Sequence, residues 1–243
     1  MLFCLSPCFS LYAQTDDFTI NGTVLLRYRG NAPHAIIPPY VTAIAFEAFA
    51  GNHNYPTSIT IPPSITSIGH RAFAHANGLK YIDIPYSVTS IGNYAFFGCR
   101  NLVNIFIPSS VTSIGRYSFH GCTKLVSISI PSSVTAIGDY AFASCSSLST
   151  VVIAGGITRI SNGTFSDCKS LTSIAIPATV TSIGDRAFAG CISLTSVVIP
   201  SSVTFIGSRA FAGCINLRYA VISKGTRYEA DTFPEGIEII YRD

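Results

Sequence analysis

A phenylalanine every 23 residues, a leucine at the same step and an L-x-x-I-x-I pattern inside each period together predict one fold class. That class is a leucine-rich repeat solenoid, with a parallel β-sheet on the concave face and short strands and helical turns on the convex side. The phenylalanines are Phe73, Phe96, Phe119, Phe142, Phe165, Phe188 and Phe211, with Phe49 and Phe233 one period beyond each end, give or take a residue. The leucines run at the same step from Leu79 to Leu217. One such unit is too small to bury its own apolar face, so it must stack on copies of itself.

The chain opens with MLFCLSPCFSLYAQTDD. Residues 1–13 read as the remnant of a secretory signal peptide, cleaved after Ala13. Leu5–Cys8 loosely matches a lipid-attachment box, but Pro7 beside Cys8 and the few residues upstream argue against lipidation. Residues 14–36 have lost the repeat spacing and keep alternating apolar residues, so they should form an N-terminal cap on the first rung.

Residues 37–222 are the solenoid. In LTSIAIP, Leu171, Ile174 and Ile176 should point inward while Ser173 and Ala175 point out, by strand alternation. Pro177 ends the strand because it has no N–H for the ladder. Val180 and Ile183 turn inward again, and Gly184 should take a positive φ at the next corner. Ala187, Phe188 and Cys191 suit a short helical turn. The threonine column, from Thr42 to Thr204, reads as a hydroxyl ladder bonded to the backbone. The Cys99, Cys122, Cys145, Cys168, Cys191 and Cys214 column would hold its side chains in register at the rung spacing, too far apart for disulfides. It reads as buried thiols packing as small hydrophobes.

One rung departs from the rest. Val151–Cys168 carries Ala154 in place of the proline and Ser161 in place of the corner glycine. Gly155 and Gly156 should loosen its turn and make Ala154–Ser161 the most mobile stretch of the interior. Residues 223–243 lose the glycine and cysteine columns and carry Glu229, Asp231, Glu235 and Glu238. They should form a polar C-terminal cap that hides the open sheet edge.

The search for chemistry excludes more than it finds. Hydrophobic residues make up 48% of the chain and charged residues 11%, which rules out a disordered chain. The net charge of +3 is scattered with no basic run, so nucleic acid is not the partner. No apolar run is long enough for a transmembrane segment. No C-x-x-C or C-x-x-H pair suggests a metal. His70 and His75 flank Phe73, but the five histidines do not converge in sequence. Asp139 and Asp185 make no acid pair of the kind hydrolases need. No G-x-S-x-G and no glycine-rich phosphate loop occurs. No catalytic residue, cofactor or metal site is expected.

The unit LxxIxIPxxVTxIGxxAFxxC resembles the BspA-like, or Treponema-type, leucine-rich repeats of bacterial and protozoan surface proteins. The resemblance covers about three quarters of the chain and implies a secreted or surface-exposed protein that adheres to host matrix proteins or to other cells. It carries over no catalytic motif. The expected function is therefore a non-enzymatic scaffold for a protein ligand, against two alternatives: a self-associating structural surface component, or an enzyme with an unrecognised site. On a solenoid a partner must contact the variable positions. Tyr81, Asp83, Asn104, Phe106 and Tyr219 should face outward on the concave strands, where exposed aromatics act as anchors. Tyr94, Tyr117 and Tyr140 form a second candidate surface on the turns, or simply cover the core with their rings.

Overall fold

A computed structural model describes residues 15–50 and 56–242. The leader assigned to residues 1–13, including Cys8 and the cleavage point after Ala13, lies outside them.

The chain is rich in β-branched residues that favour strands. It coils into rungs, and most rungs give one short strand to each of two walls. On the concave wall His34–Ile36, Ser58–Thr60, Tyr81–Asp83 and Asn104–Phe106 pair in parallel. Ser127–Ile130 pairs with Thr150–Ile153, and Ser196–Val198, Tyr219–Ser223 and Glu238–Arg242 form a last block. On the convex wall two-residue strands stack the same way, from Ser67–Ile68 to Ala136–Ile137 and from Arg159–Ile160 to Arg227–Tyr228.

The phenylalanines fill the space between the walls. Every ring of the 23-residue column from Phe49 to Phe211 is fully buried. Neighbouring rings lie 5.0 to 5.6 Å apart, centroid to centroid. An antiparallel hairpin of Phe18–Asn21 and Val24–Tyr28 closes the N-terminal end. It extends the column with Tyr28 and Phe18, which the 23-residue spacing does not reveal. The threonine column is the ladder expected of it: the hydroxyls of Thr89, Thr112, Thr135, Thr181 and Thr204 each donate to the threonine carbonyl one rung back.

The structure corrects four expectations. First, the turns around the phenylalanines are consecutive tight turns and not helical. Cys191 N–H donates to Phe188 O three residues back, whereas Phe188 N–H donates to Ala210 O of the next rung. Amides drawn to a neighbouring rung cannot close the i to i−4 bonds of a helix.

Second, Gly184 does not have a positive φ. The corner glycines are there for closeness. A Cβ on Gly138 would lie 2.4 Å from Arg116 N, and one on Gly184 2.8 Å from Asn162 N. The left-handed conformation falls two residues later, on Tyr94, Tyr117, Tyr140, Arg186 and Arg209, at φ between 54° and 56°.

Third, Leu171–Ile176 keeps the expected inward and outward faces but forms no strand. Fourth, the C-terminal segment is not a separate polar cap but a continuation of both walls. Arg227–Tyr228 and Glu238–Arg242 add one more pairing to each wall, with Ile239 in register beside Ala220 and Tyr241 beside Ile222.

The unusual rung is a dislocation. Thr150–Ile153 pairs backward with Ser127–Ile130, while Arg159–Ile160 pairs forward with Ser182–Ile183. Among the described residues, no ladder joins Thr150–Ile153 to the next rung or Ala136–Ile137 to Arg159–Ile160. The ring spacing widens to 5.6 Å on both sides of Phe165 at this level. The two glycines of its corner are held differently. Gly155 has φ 99° in open surroundings, whereas a Cβ on Gly156 would sit 2.2 Å from the carbonyl oxygens of Ser132 and Val134.

Candidate binding surfaces

The concave site begins with strand alternation. In Tyr81–Asp83 and Asn104–Phe106 the central isoleucines, Ile82 and Ile105, are buried, so the flanking residues must face out. Tyr81 is 56% exposed and Phe106 54%, unusual values for rings on a rigid sheet. The register sets Tyr81 beside Asn104 and Asp83 beside Phe106. The two rings are therefore diagonal neighbours, with Asp83 and Asn104 on the other diagonal.

The structure adds a residue that the alternation argument passes over. Tyr86 stands just after Pro85, where other rungs carry Ser109 or Ser132. It is 68% exposed, and its ring meets Phe106 edge-on at 6.0 Å. The clue lies in the variable column after the proline. Tyr219 does not join this cluster. It lies five rungs from Asn104, about 24 Å at the usual strand spacing, and its strand neighbours are Ser196 and Glu238.

The second surface is a ladder of stacked rings. Tyr94, Tyr117 and Tyr140 stack at 5.0 Å per step. Arg71 caps the face of Tyr94 at 5.1 Å, and Arg116 that of Tyr117 at the same distance. Phe97 and His120 stack alongside at 5.1 Å. These rings are half-buried. Each tyrosine also sits in a strained left-handed conformation that stacking helps to hold. His120 Nδ1 is buried with no partner among the described residues, and burial lowers the ring's pKa against the opposing pull of the Asp167 carboxylate.

The remaining polar columns are spent on the backbone. Asp139 Oδ1 accepts the Asn162 N–H, Asn162 Oδ1 the Asp185 N–H, and Asp185 Oδ1 the Ser208 N–H, all at 3.0–3.1 Å. These side chains pin successive corners, which accounts for their recurrence. Asp231 ends the column, its carboxyl held below the usual range first by the Ser208 hydroxyl and then by Arg209. His70 stacks on Phe46, whereas His75 meets Phe97, so the two histidines face different rings.

The six column cysteines are free and fully buried. Each Sγ–H donates to a phenylalanine carbonyl 26 residues earlier, at 3.0 to 3.3 Å. Burial pushes the Cys99 and Cys214 thiols up to about 12. The thiolate is the reactive form, so these six should resist an aromatic disulfide reagent at pH 8 in the native protein and react in denaturant. Stoichiometric native labelling of any of them would contradict this burial.

Three comparisons bear on identity. The pattern of the BspA type leucine rich repeat region matches over residues 27–119, 89–218 and 158–235. A leucine-rich repeat protein from Bacteroides ovatus is 33% identical, with a TM-score of 0.75 over 90% of this chain and 66% of its own. One from Eubacterium ventriosum is 23% identical, with a TM-score of 0.56 over 86% of this chain and 62% of its own. The chain thus spans just under two thirds of the length of these two structures. No curated protein matches it. With one repeat pattern matched continuously from residue 27 to residue 235, the chain belongs to the BspA-type leucine-rich repeat family.

Proposed function

We propose that this protein is a non-catalytic binding scaffold, exported or held at the cell surface, that engages a protein ligand through the N-terminal half of its concave face. One observation carries the reading: Tyr81 and Phe106 stand exposed on a laddered sheet, beside Asp83 and Asn104, with the exposed ring of Tyr86 against Phe106 from the adjoining corner. Large rings on a rigid support bury area at low entropic cost, and the polar pair can orient a partner. The apolar leader and the family support an exported protein. An adhesive role toward host matrix proteins is the specific form proposed.

The test is binding of the purified chain to immobilised host matrix proteins. Tyr81→Ala with Phe106→Ala should reduce binding at least about 30-fold, as loss of a buried aromatic anchor does, and leave the melting temperature unchanged. Tyr117→Ala with Tyr140→Ala should lower the melting temperature, because it breaks the ring ladder, and leave binding intact. The opposite pattern would move the site to the convex turns.

A further inference from the structure

The concave cluster holds the parts of an arrangement that the chain completes elsewhere. On the turns, Arg71 lies over two rings at once, 5.1 Å from the centroid of Tyr94 and 5.9 Å from that of Phe46. Its guanidinium is also paired with the Glu47 carboxylate at 3.2 Å. The rings attract the cation through their quadrupoles, and the carboxylate supplies the counter-charge.

The concave face has the rings and the carboxylate. Tyr86 and Phe106 stand exposed with their planes at 61° and their centroids 6.0 Å apart, so they form a notch and not a flat platform. Asp83 is the in-register neighbour of Phe106, at a strand spacing of about 4.8 Å, and faces the same way. A ring attracts a cation that lies within about 6 Å of its centroid. One cation in the notch can therefore satisfy both rings. Among the described residues, no Lys or Arg lies over Tyr86 or Phe106; the rings so covered are Phe46, Tyr94 and Tyr117.

The carboxylate is available as well. Among the described residues the ion pairs are Glu47–Arg71 and Asp231–Arg209, and the Asp83 side chain has neither an ion pair nor a hydrogen bond. On the four strands from His34–Ile36 to Asn104–Phe106, Asp83 is the one outward residue with a full charge at pH 7. The chain as a whole carries +3. The patch is thus locally negative on a positive molecule, and the group that complements it is a cation. A guanidinium suits the notch better than an ammonium. It is planar, stacks on aromatic faces, gives up its hydration more easily and meets a carboxylate with a fork of N–H groups.

We propose that Tyr86, Phe106 and Asp83 form a receptor for one arginine side chain of the protein ligand. The guanidinium sits in the notch between the two rings and donates its N–H groups to the Asp83 carboxylate. This inference rests on the concave site proposed above and names what that site takes.

Nuclear magnetic resonance titration of the full 243-residue chain tests it. The probes are the capped tripeptide acetyl-Gly-Arg-Gly-amide and its citrulline counterpart, which keeps the shape and loses the charge. The arginine peptide should shift the ring signals of Tyr86 and Phe106 saturably, and the citrulline peptide should bind at least about tenfold more weakly. Asp83→Asn should weaken the arginine peptide by about tenfold or more and leave the melting temperature unchanged, because the carboxylate holds nothing in the fold. The proposal is overturned by the absence of a saturable shift, by equal binding of the two peptides, or by an Asp83→Asn variant that binds as the wild type does. A stronger shift of the same rings by a neutral oligosaccharide such as cellohexaose overturns it too. Binding to matrix proteins separates this inference from the broader one. If Tyr81→Ala with Phe106→Ala abolishes that binding while the arginine peptide does not bind, the concave site stands and the arginine receptor falls. If the peptide binds as expected while matrix proteins bind regardless of those rings, the receptor stands and the adhesive reading falls.

Discussion

Phe142→Ala is expected to lower the free energy of unfolding by about 3–5 kcal/mol, the range for truncating a buried phenylalanine. The ring is fully buried. It lies between Phe119, at 5.1 Å and 1° from parallel, and Phe165 at 5.6 Å. The spread in such costs reflects how far the surroundings can collapse into the gap. Here collapse is resisted from both sides. Phe142 N–H donates to Thr164 O, and Phe119 N–H donates to Ala141 O, so the backbones that carry the neighbouring rings are tied at the rung spacing. Denaturant unfolding measures the loss. A change under about 1 kcal/mol would mean that the column does not bear on stability.

Gly156→Ala is expected to cost about 3 kcal/mol, the upper part of the range for overpacking. Its new methyl would meet two backbone carbonyl oxygens of the preceding rung at 2.2 Å, and neither can move without moving the rung. Gly155→Ala meets nothing closer than 4.0 Å and pays instead for a φ of 99°, about 1–3 kcal/mol. The informative comparison is the order of the two, read from the same unfolding experiment. If Gly156→Ala is neutral, the corner is as loose as its composition suggests. If it is the worse of the pair, the glycine serves close packing.

That contrast shows where sequence reasoning reached its limit. The columns of Phe, Leu, Thr and Cys were legible because each rung buries the same positions against its neighbours, so the period writes the core directly. The outward placement of Tyr81, Asp83, Asn104 and Phe106 followed from alternation around Ile82 and Ile105. Other features depend on what lies one rung away, which no single repeat displays. A glycine can mean a positive φ or a close approach, and the repeat uses Gly184 for the second while giving the first to Arg186. The aromatic at Tyr86 sits in a corner column that alternation does not address. The strand at Glu238–Arg242 was masked by its charges, which suggested a cap, whereas its backbone pairs in register with Tyr219–Ser223.

The dislocated rung has a consequence for how the molecule holds together. In a one-dimensional stack, cooperativity passes from each unit to the next through their shared interface, and nowhere else. Residues 150–160 split that interface: their concave strand is committed to the unit behind and their convex strand to the unit ahead. The phenylalanine column crosses the level at its widest spacing, and the turns cross it too: Phe142 N–H donates to Thr164 O, and Phe165 N–H to Ala187 O. Each face of this rung thus keeps one wall ladder, the turn bonds and the ring packing, and lacks the other wall ladder. An unfolding front that travels along the stack therefore meets fewer wall bonds here, at the rung where Ala154, Gly155 and Gly156 stand in place of the Pro-Ser-Ser and Pro-Ala-Thr of its neighbours.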